Sequence, residues 1–193
     1  GTHHAHRDFG AGYCIFNDIA VAAIDVLATR RVSRIIVVDL DVHQGDGTAE
    51  ILKEVEGAYT FSMHAAKNFP ARKKTSDYDV PLEAGLDAAG YLQLLSQHLP
   101  QALAESRAEM VIFDAGVDVH ANDRLGLLEL TNEGLRQRER YVVNFVRDAG
   151  LPIAAVIGGG YDRDMGALVD RHAIVHEELA RRWKREQRNA GRA

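Results

Sequence analysis

Short runs of apolar, largely β-branched residues alternate along this chain with longer stretches whose apolar positions recur every three or four residues. The runs lie at residues 34–39, 59–63, 110–114 and 153–157. Each reads as a strand, and the unbroken run Ile35-Ile36-Val37-Val38 reads as one buried on both faces of a parallel sheet. The amphipathic stretches at 17–29, 48–56, 88–106 and 132–149, with a last one near 165–185, read as helices. Strand–helix alternation predicts an α/β fold: three αβα layers around a mostly parallel sheet. Asp87 is a good helix cap ahead of Ala88, Thr131 is a weaker start, and Gly150-Leu151-Pro152 stops a helix cleanly before the next strand. Residues 65–79 lack periodicity, carry Asn68 and Pro70 among mixed charges, and predict a long loop of the kind that often has a function. The basic tail from Arg181 reads as a solvated, fraying helix end.

Composition narrows the class. With 193 residues, 46% of them hydrophobic, the chain can bury one sizeable core, and a single domain over 1–193 is the expectation. A net charge of -5 gives no overall drive toward nucleic acid or an anionic membrane. The single cysteine, Cys14, excludes an internal disulfide framework and reads as a buried small hydrophobe in a reducing compartment. No apolar stretch approaches the roughly 20 residues of a membrane span, and no signal-peptide pattern is seen. A soluble, cytoplasmic protein is expected.

The candidate chemistry gathers at strand ends. The first strand runs into Asp39-Leu40-Asp41-Val42-His43-Gln44-Gly45-Asp46-Gly47. Residues two apart in extended chain project to one side, so Asp41 and His43 can face one ion, and burying such carboxylates without a cation or donors is costly. A third strand ends in Asp114-Ala115-Gly116-Val117-Asp118, with Asn122-Asp123 just beyond, and a fourth in Gly158-Gly159-Gly160-Tyr161. Strands of an open α/β sheet present their sites at their carboxyl ends, so these segments can share a pocket. The tandem His3-His4 stands apart near residue 1. One imidazole and two carboxylates leave an open position on a zinc or ferrous ion, and paired histidines can move protons. Metal-assisted hydrolysis is the chemistry this inventory permits.

Five segments, in order along nearly the whole chain, resemble the zinc-dependent histone deacetylase family of the arginase–deacetylase fold. They are Gly1-Thr2-His3-His4-Ala5, Gly12-Tyr13-Cys14-Ile15-Phe16-Asn17-Asp18, the stretch Val38 to Thr48, Asp118 through Gly126, and Gly158-Gly159-Gly160-Tyr161. His43-Gln44-Gly45 and Asn122-Asp123-Arg124-Leu125-Gly126 lean toward class IV enzymes and their bacterial relatives. The resemblance implies Asp41, His43 and Asp123 as zinc ligands, with Fe²⁺ the other metal suited to that set. It implies His3 and His4 as the pair beside the reacting water, His4 as general base and acid, and Asp39 and Asp46 as the carboxylates that orient them. Tyr161 would stabilise the oxyanion. Gly12, Tyr13, Phe69, Leu130 and Gly159 would line the acyl-lysine site, with Tyr13 in place of the usual Phe. Backbone carbonyls around Asp39, Asp41 and His43, with Ser62 and Met63, would hold K⁺. The implied substrates are an acyl-lysine peptide or protein, or an acylated small amine. Family members carry roughly a hundred or more residues before the His-His pair, so the domain is expected to be truncated at the N-terminus and the pair poorly fixed. Asn17-Asp18 reads as a helix start or support for the site, and Asp118 as a structural hydrogen-bonding group rather than a ligand.

Two further readings compete. Asp39 in its Asp-x-Asp strand end could serve a magnesium-dependent phosphatase as nucleophile, which leaves the His pair and Tyr161 unexplained. Or the chain could be a catalytically incompetent metal-binding fragment or scaffold.

Overall fold

The computed structural model describes residues 1–191. Five strands and five helices follow the order α1 (Asp18–Ala28), β1 (Ile35–Asp39), α2 (Asp46–Leu52), β2 (Ala58–Ala65), β3 (Tyr78–Leu82), α3 (Ala88–Ser106), β4 (Met110–Asp114), α4 (Asn132–Asp148), β5 (Ile153–Val156) and α5 (Met165–Ala190). The strands make one sheet in the order β3-β2-β1-β4-β5, every neighbouring pair parallel. β1 is central and buried along its whole length. Its side chains alternate between two cores. Ile36 and Val38, with Leu40 just past the strand, join the larger core with Tyr91, Leu95 and Leu99 of α3 and Leu135, Val142 and Val146 of α4. Ile35 and Val37 join the smaller one with Ile19, Ala20 and Ala23 of α1 and Ile51 and Leu52 of α2. The expected three layers are therefore present, and the sheet is wholly parallel.

Caps set the helix starts. Asn17, Asp87, Thr131 and Asp164 each accept a backbone N–H from the first turn of the helix they precede. One strand went unforeseen: β3 begins at Tyr78, inside the stretch expected to be loop. It is an edge strand, which tolerates Pro81 where a central strand would lose a ladder bond. β2 likewise runs on through His64 to Ala65, so His64 lies within the strand rather than after it. No helix among the described residues is long and apolar enough to cross a membrane.

In the ladder, Asp39 lies level with Ser62 on one neighbour and with Asp114 on the other. The sheet thus ends with the carboxylates of Asp39 and Asp114 at a common height, where the loops leaving β1 and β4 begin.

Candidate metal and acid–base site

The loop after β1 is curled by its own aspartates. Asp39 Oδ1 accepts the N–H of Asp41 at 3.1 Å, and Asp41 Oδ1 accepts that of His43 at 2.9 Å. Asp-rich turns of this kind form because a short carboxylate reaches the backbone two residues on. The neighbouring loops close around it. Asp118 Oδ1 accepts Val42 N–H at 2.9 Å, and Asp41 Oδ2 accepts Gly159 N–H at 2.6 Å. His43 Nδ1 lies 3.0 Å from both Asp41 Oδ1 and Asp118 Oδ2. Glycine is required where the loops meet: a Cβ on Gly116 would lie 2.4 Å from Asp41 Oδ2, and one on Gly159 would lie 2.1 Å from Asp118 Oδ2.

The structure therefore gathers Asp41, His43 and Asp118, whose ligand atoms all lie within 4.8 Å of one another. Asp123, the third ligand implied by resemblance, is not in that close group. Its Oδ1 accepts the N–H groups of Leu125 and Gly126 at 2.8 and 2.9 Å, and its Oδ2 accepts that of Tyr161 at 2.6 Å. Asp118, expected to be a hydrogen-bonding support, makes those bonds and is also close enough to share an ion.

The tandem histidines are firmly held, against the expectation that they would be poorly fixed. His3 and His4 are both buried. The His3 carbonyl accepts Thr48 N–H at 3.0 Å, and the Asn17 side-chain amide donates to the carbonyls of His3 and Ala5 and to Thr48 Oγ1. Asn17 also caps α1 through Oδ1, so one buried amide serves the helix start and the site. His3 Nδ1 meets Asp39 Oδ2 at 2.7 Å, His4 Nδ1 meets Asp46 Oδ1 at 2.6 Å, and the two rings lie 4.1 Å apart. Both Asp39 oxygens are thus engaged, which does not suit the nucleophile of the phosphatase reading. His6 Nε2 adds a second contact to Asp46 at 3.1 Å.

Electrostatics separate the pair. Burial lowers His4, outweighing its hydrogen bond to the Asp46 carboxylate. Burial alone would lower His3 too, but the charges of Asp39, Asp41 and Asp114 hold it well above the usual imidazole range. Tyr161 is pushed up, first by burial and then by the charges of Asp41 and Asp118, so its phenol keeps its proton at neutral pH.

A divalent cation suits this donor set. Asp41 and Asp118 are fully buried beside one imidazole. Burial, with Asp41 adjacent, pushes the Asp118 carboxyl up to about 8, disfavouring the ionised form that a cation would restore. Asp114, near His3 and Asp39, is a further buried carboxyl whose two oxygens lack hydrogen-bond partners among the described residues. Carboxylate and imidazole donors serve Zn²⁺ or Fe²⁺ equally.

Above these groups opens a cavity of about 300 Å³. His4, His43 and Tyr161 line it, with Gly12, Tyr13 and Phe69 on its walls. The Phe69 ring meets His4 edge-on at 4.8 Å, and the Tyr13 and Tyr161 rings are 6.1 Å apart. Gly12 and Tyr13 both take left-handed backbone angles, and a Cβ on Gly12 would lie 2.2 Å from the His4 ring. Two expected lining residues lie elsewhere. Leu130 is wholly buried in the larger core because its backbone pairs with Val119 and Ala121, which turns its side chain inward. Gly159 lies beneath the cavity, against Asp41 and Asp118. Leu125 and Asn68 take wall positions instead, joined by a 2.8 Å bond from Asn68 Nδ2 to the Leu125 carbonyl. An apolar residue stranded in the polar Asn-Asp-Arg-Leu-Gly stretch was the available signal for Leu125. Cys14, expected buried, is half-exposed, with Sγ 3.3 Å from the Gly12 carbonyl.

Known proteins resemble this chain in sequence or in fold. An uncharacterized protein of Picosynechococcus is 49% identical over 176 residues, which cover 91% of this chain and 59% of that protein. Histone deacetylase 2 of Arabidopsis thaliana is 30% identical over 172 residues, covering 88% of this chain and 44% of that protein. Among solved structures, an acetylpolyamine aminohydrolase from Burkholderia pseudomallei superposes with a TM-score of 0.78 at 23% identity, covering 92% of this chain and 53% of that one. The HD domain of HDA15 gives 0.74 at 22% identity, covering 93% and 53%. At those identities the structural likeness shows the fold. The chain spans about half the length of the proteins it matches. Residues 1–175, which carry every strand tip described above, match the histone deacetylase domain, and the chain belongs to that family.

Proposed function

We propose that this chain carries the reaction centre of a zinc-dependent amidohydrolase that removes acyl groups from N-acyl-lysine or a related acylated amine. The observation that carries this reading is one cavity lined by His4, His43 and Tyr161, where His43 belongs to the Asp–His–Asp cluster and His4, beside His3, is paired with a carboxylate. Asp41 and His43 would hold the metal, with Asp123 as third ligand and Asp118 orienting His43. Bound there, Zn²⁺, or Fe²⁺ in its place, would supply Lewis acidity toward the acyl carbonyl and the attacking water.

The chain's own groups do the rest. Asp46 fixes His4 by Nδ1, which leaves Nε2 as its working nitrogen. Burial keeps His4 neutral and able to accept the proton of the attacking water. The same nitrogen then passes a proton to the departing amine. Tyr161 O–H donates to the oxygen on which charge develops. Tyr13 and Phe69 flank the acyl chain. K⁺ on the carbonyls around Asp39, Asp41 and His43 belongs to the same reading and takes no part in these steps.

Metal analysis of the purified protein tests this, together with a panel of acyl-lysine peptides and acetylpolyamines. About one equivalent of zinc or iron, lost in Asp41→Asn, is expected, with release of free amine from at least one substrate. A hydroxamate should raise the thermal midpoint only when metal is present. Absence of a bound divalent cation would overturn the reading.

A further inference from the structure

Beneath the metal loops lies a charge that the reaction does not use. Arg138, on α4, is the largest fully buried side chain among the described residues, and Glu139 beside it is buried as well. A guanidinium cannot shed its charge, so it must be paired and fully hydrogen-bonded where it sits. Glu139 supplies the pairing through two contacts, Nε to Oε2 at 3.1 Å and Nη2 to Oε1 at 2.6 Å. The other edge of the fork is spent on backbone. Nη1 donates to the Leu40 carbonyl at 2.9 Å and Nη2 to the Gly116 carbonyl at 2.7 Å.

Those two carbonyls belong to different loops. Leu40 stands between Asp39 and Asp41. Gly116 packs against Asp41, its would-be Cβ 2.8 Å from the Asp41 Cα, and precedes Asp118 by two residues. The β1–β4 ladder closes with Leu40 N–H on the Asp114 carbonyl at 3.1 Å. Past that bond, among the described residues, no backbone–backbone hydrogen bond joins the two loops, although Val42 N–H reaches Asp118 Oδ1. The guanidinium crosses the gap where the ladder has stopped. Its planar fork suits the task, since an ammonium offers no rigid pair of donors for two fixed acceptors.

We propose that Arg138 is a positioning residue that clamps the β1 and β4 loops together, so that Asp118 holds His43 in register with Asp41 for a divalent cation. This rests on the metal-site reading above. Partners that orient metal ligands typically change affinity by about 10- to 100-fold.

Cobalt(II) and zinc titrations of the purified protein test it, with chelator competition for affinity and visible absorption of the Co²⁺ form for ligand geometry. Arg138→Lys should bind both ions about 10- to 100-fold more weakly, with an altered Co²⁺ spectrum. Arg138→Met combined with Glu139→Leu removes both buried charges and fills the space. It should keep a near-normal thermal midpoint without metal yet show the same loss of affinity and the same spectral change. Glu139→Gln, which keeps the clamp, should lower the midpoint of the metal-free protein and leave the spectrum unchanged. Wild-type affinity and spectrum in either folded clamp variant would overturn the proposal, as would failure of both to fold, which would assign Arg138 to stability alone. A wild-type protein that binds no cobalt is a different result: it sinks the reading of the site itself.

Discussion

Tyr161 and His4 line the same cavity, and under the proposed function their substitution should separate chemistry from metal binding. Tyr161→Phe removes one hydroxyl donor and should lower turnover by about 100- to 1,000-fold while metal content stays at the wild-type level. His4→Ala should abolish deacylation, again with metal retained. Near-normal turnover in either variant would end the role assigned to it. The choice between the two carboxylates beyond β4 is also decided residue by residue. If Asp123 is the third ligand, Asp123→Asn abolishes stoichiometric metal binding, whereas Asp118→Asn weakens it by about 10- to 100-fold. The reverse ranking, read by metal analysis after dialysis, would exchange their roles. Asn17 is the residue whose modest appearance in the sequence most understates its work. One amide caps α1 and ties down His3, Ala5 and Thr48. Asn17→Ala should cost about 1–3 kcal/mol, measured by denaturant unfolding, and lower turnover as the histidines loosen.

Elements with an unbroken signal were readable directly. The β-branched run of β1, the caps Asp87 and Thr131, and the Gly150-Leu151-Pro152 stop lie where the local rules put them, because nothing in the tertiary fold competes there. β3 escaped because it is short, carries Pro81, and owes its existence to the neighbouring edge of β2 rather than to its own pattern. Leu130 was misplaced for a related reason: which way a loop residue faces depends on pairing with Val119 and Ala121, separated from it by about ten residues of irregular chain. The aspartates and histidines stood out by type, but the clustering of Asp118 with His43 depends on loop curvature that no spacing rule supplies. Gly116→Ala probes that curvature. Its methyl would have to displace Asp41, so metal binding should be lost although the strands remain, which circular dichroism and metal analysis would show together. On the outside, α4 and α5 are laced by ion pairs. Hydrogen bonds from Arg147 and then Arg182 pull Glu186 down to about 2. A carboxylate depressed in the folded state adds stability above its unfolded pKa, near 4.3, and loses that contribution as pH falls toward 2. The thermal midpoint should therefore fall over that interval, Glu186→Gln should flatten part of the fall, and salt should shrink it, since each exposed pair is worth only about 0–1 kcal/mol.

For the molecule as a whole, a cation held at the acidic tips of the parallel sheet would set folding and binding in one balance. A metal that binds only the folded form at a hundredfold excess over its Kd adds about 2.7 kcal/mol of stability, so chelator should lower the thermal midpoint and zinc restore it. An unchanged midpoint under both treatments would mean the folded chain holds no such ion. The bond from Tyr161 N–H to Asp123 Oδ2 gives this balance a mechanical side. The arm that carries the phenol hangs from the very carboxylate proposed to grip the ion. A cation of larger radius, drawing Asp123 to a new distance, would swing that arm with it, so exchanging the metal would retune the grasp on the substrate's oxygen as well as the acidity of the centre.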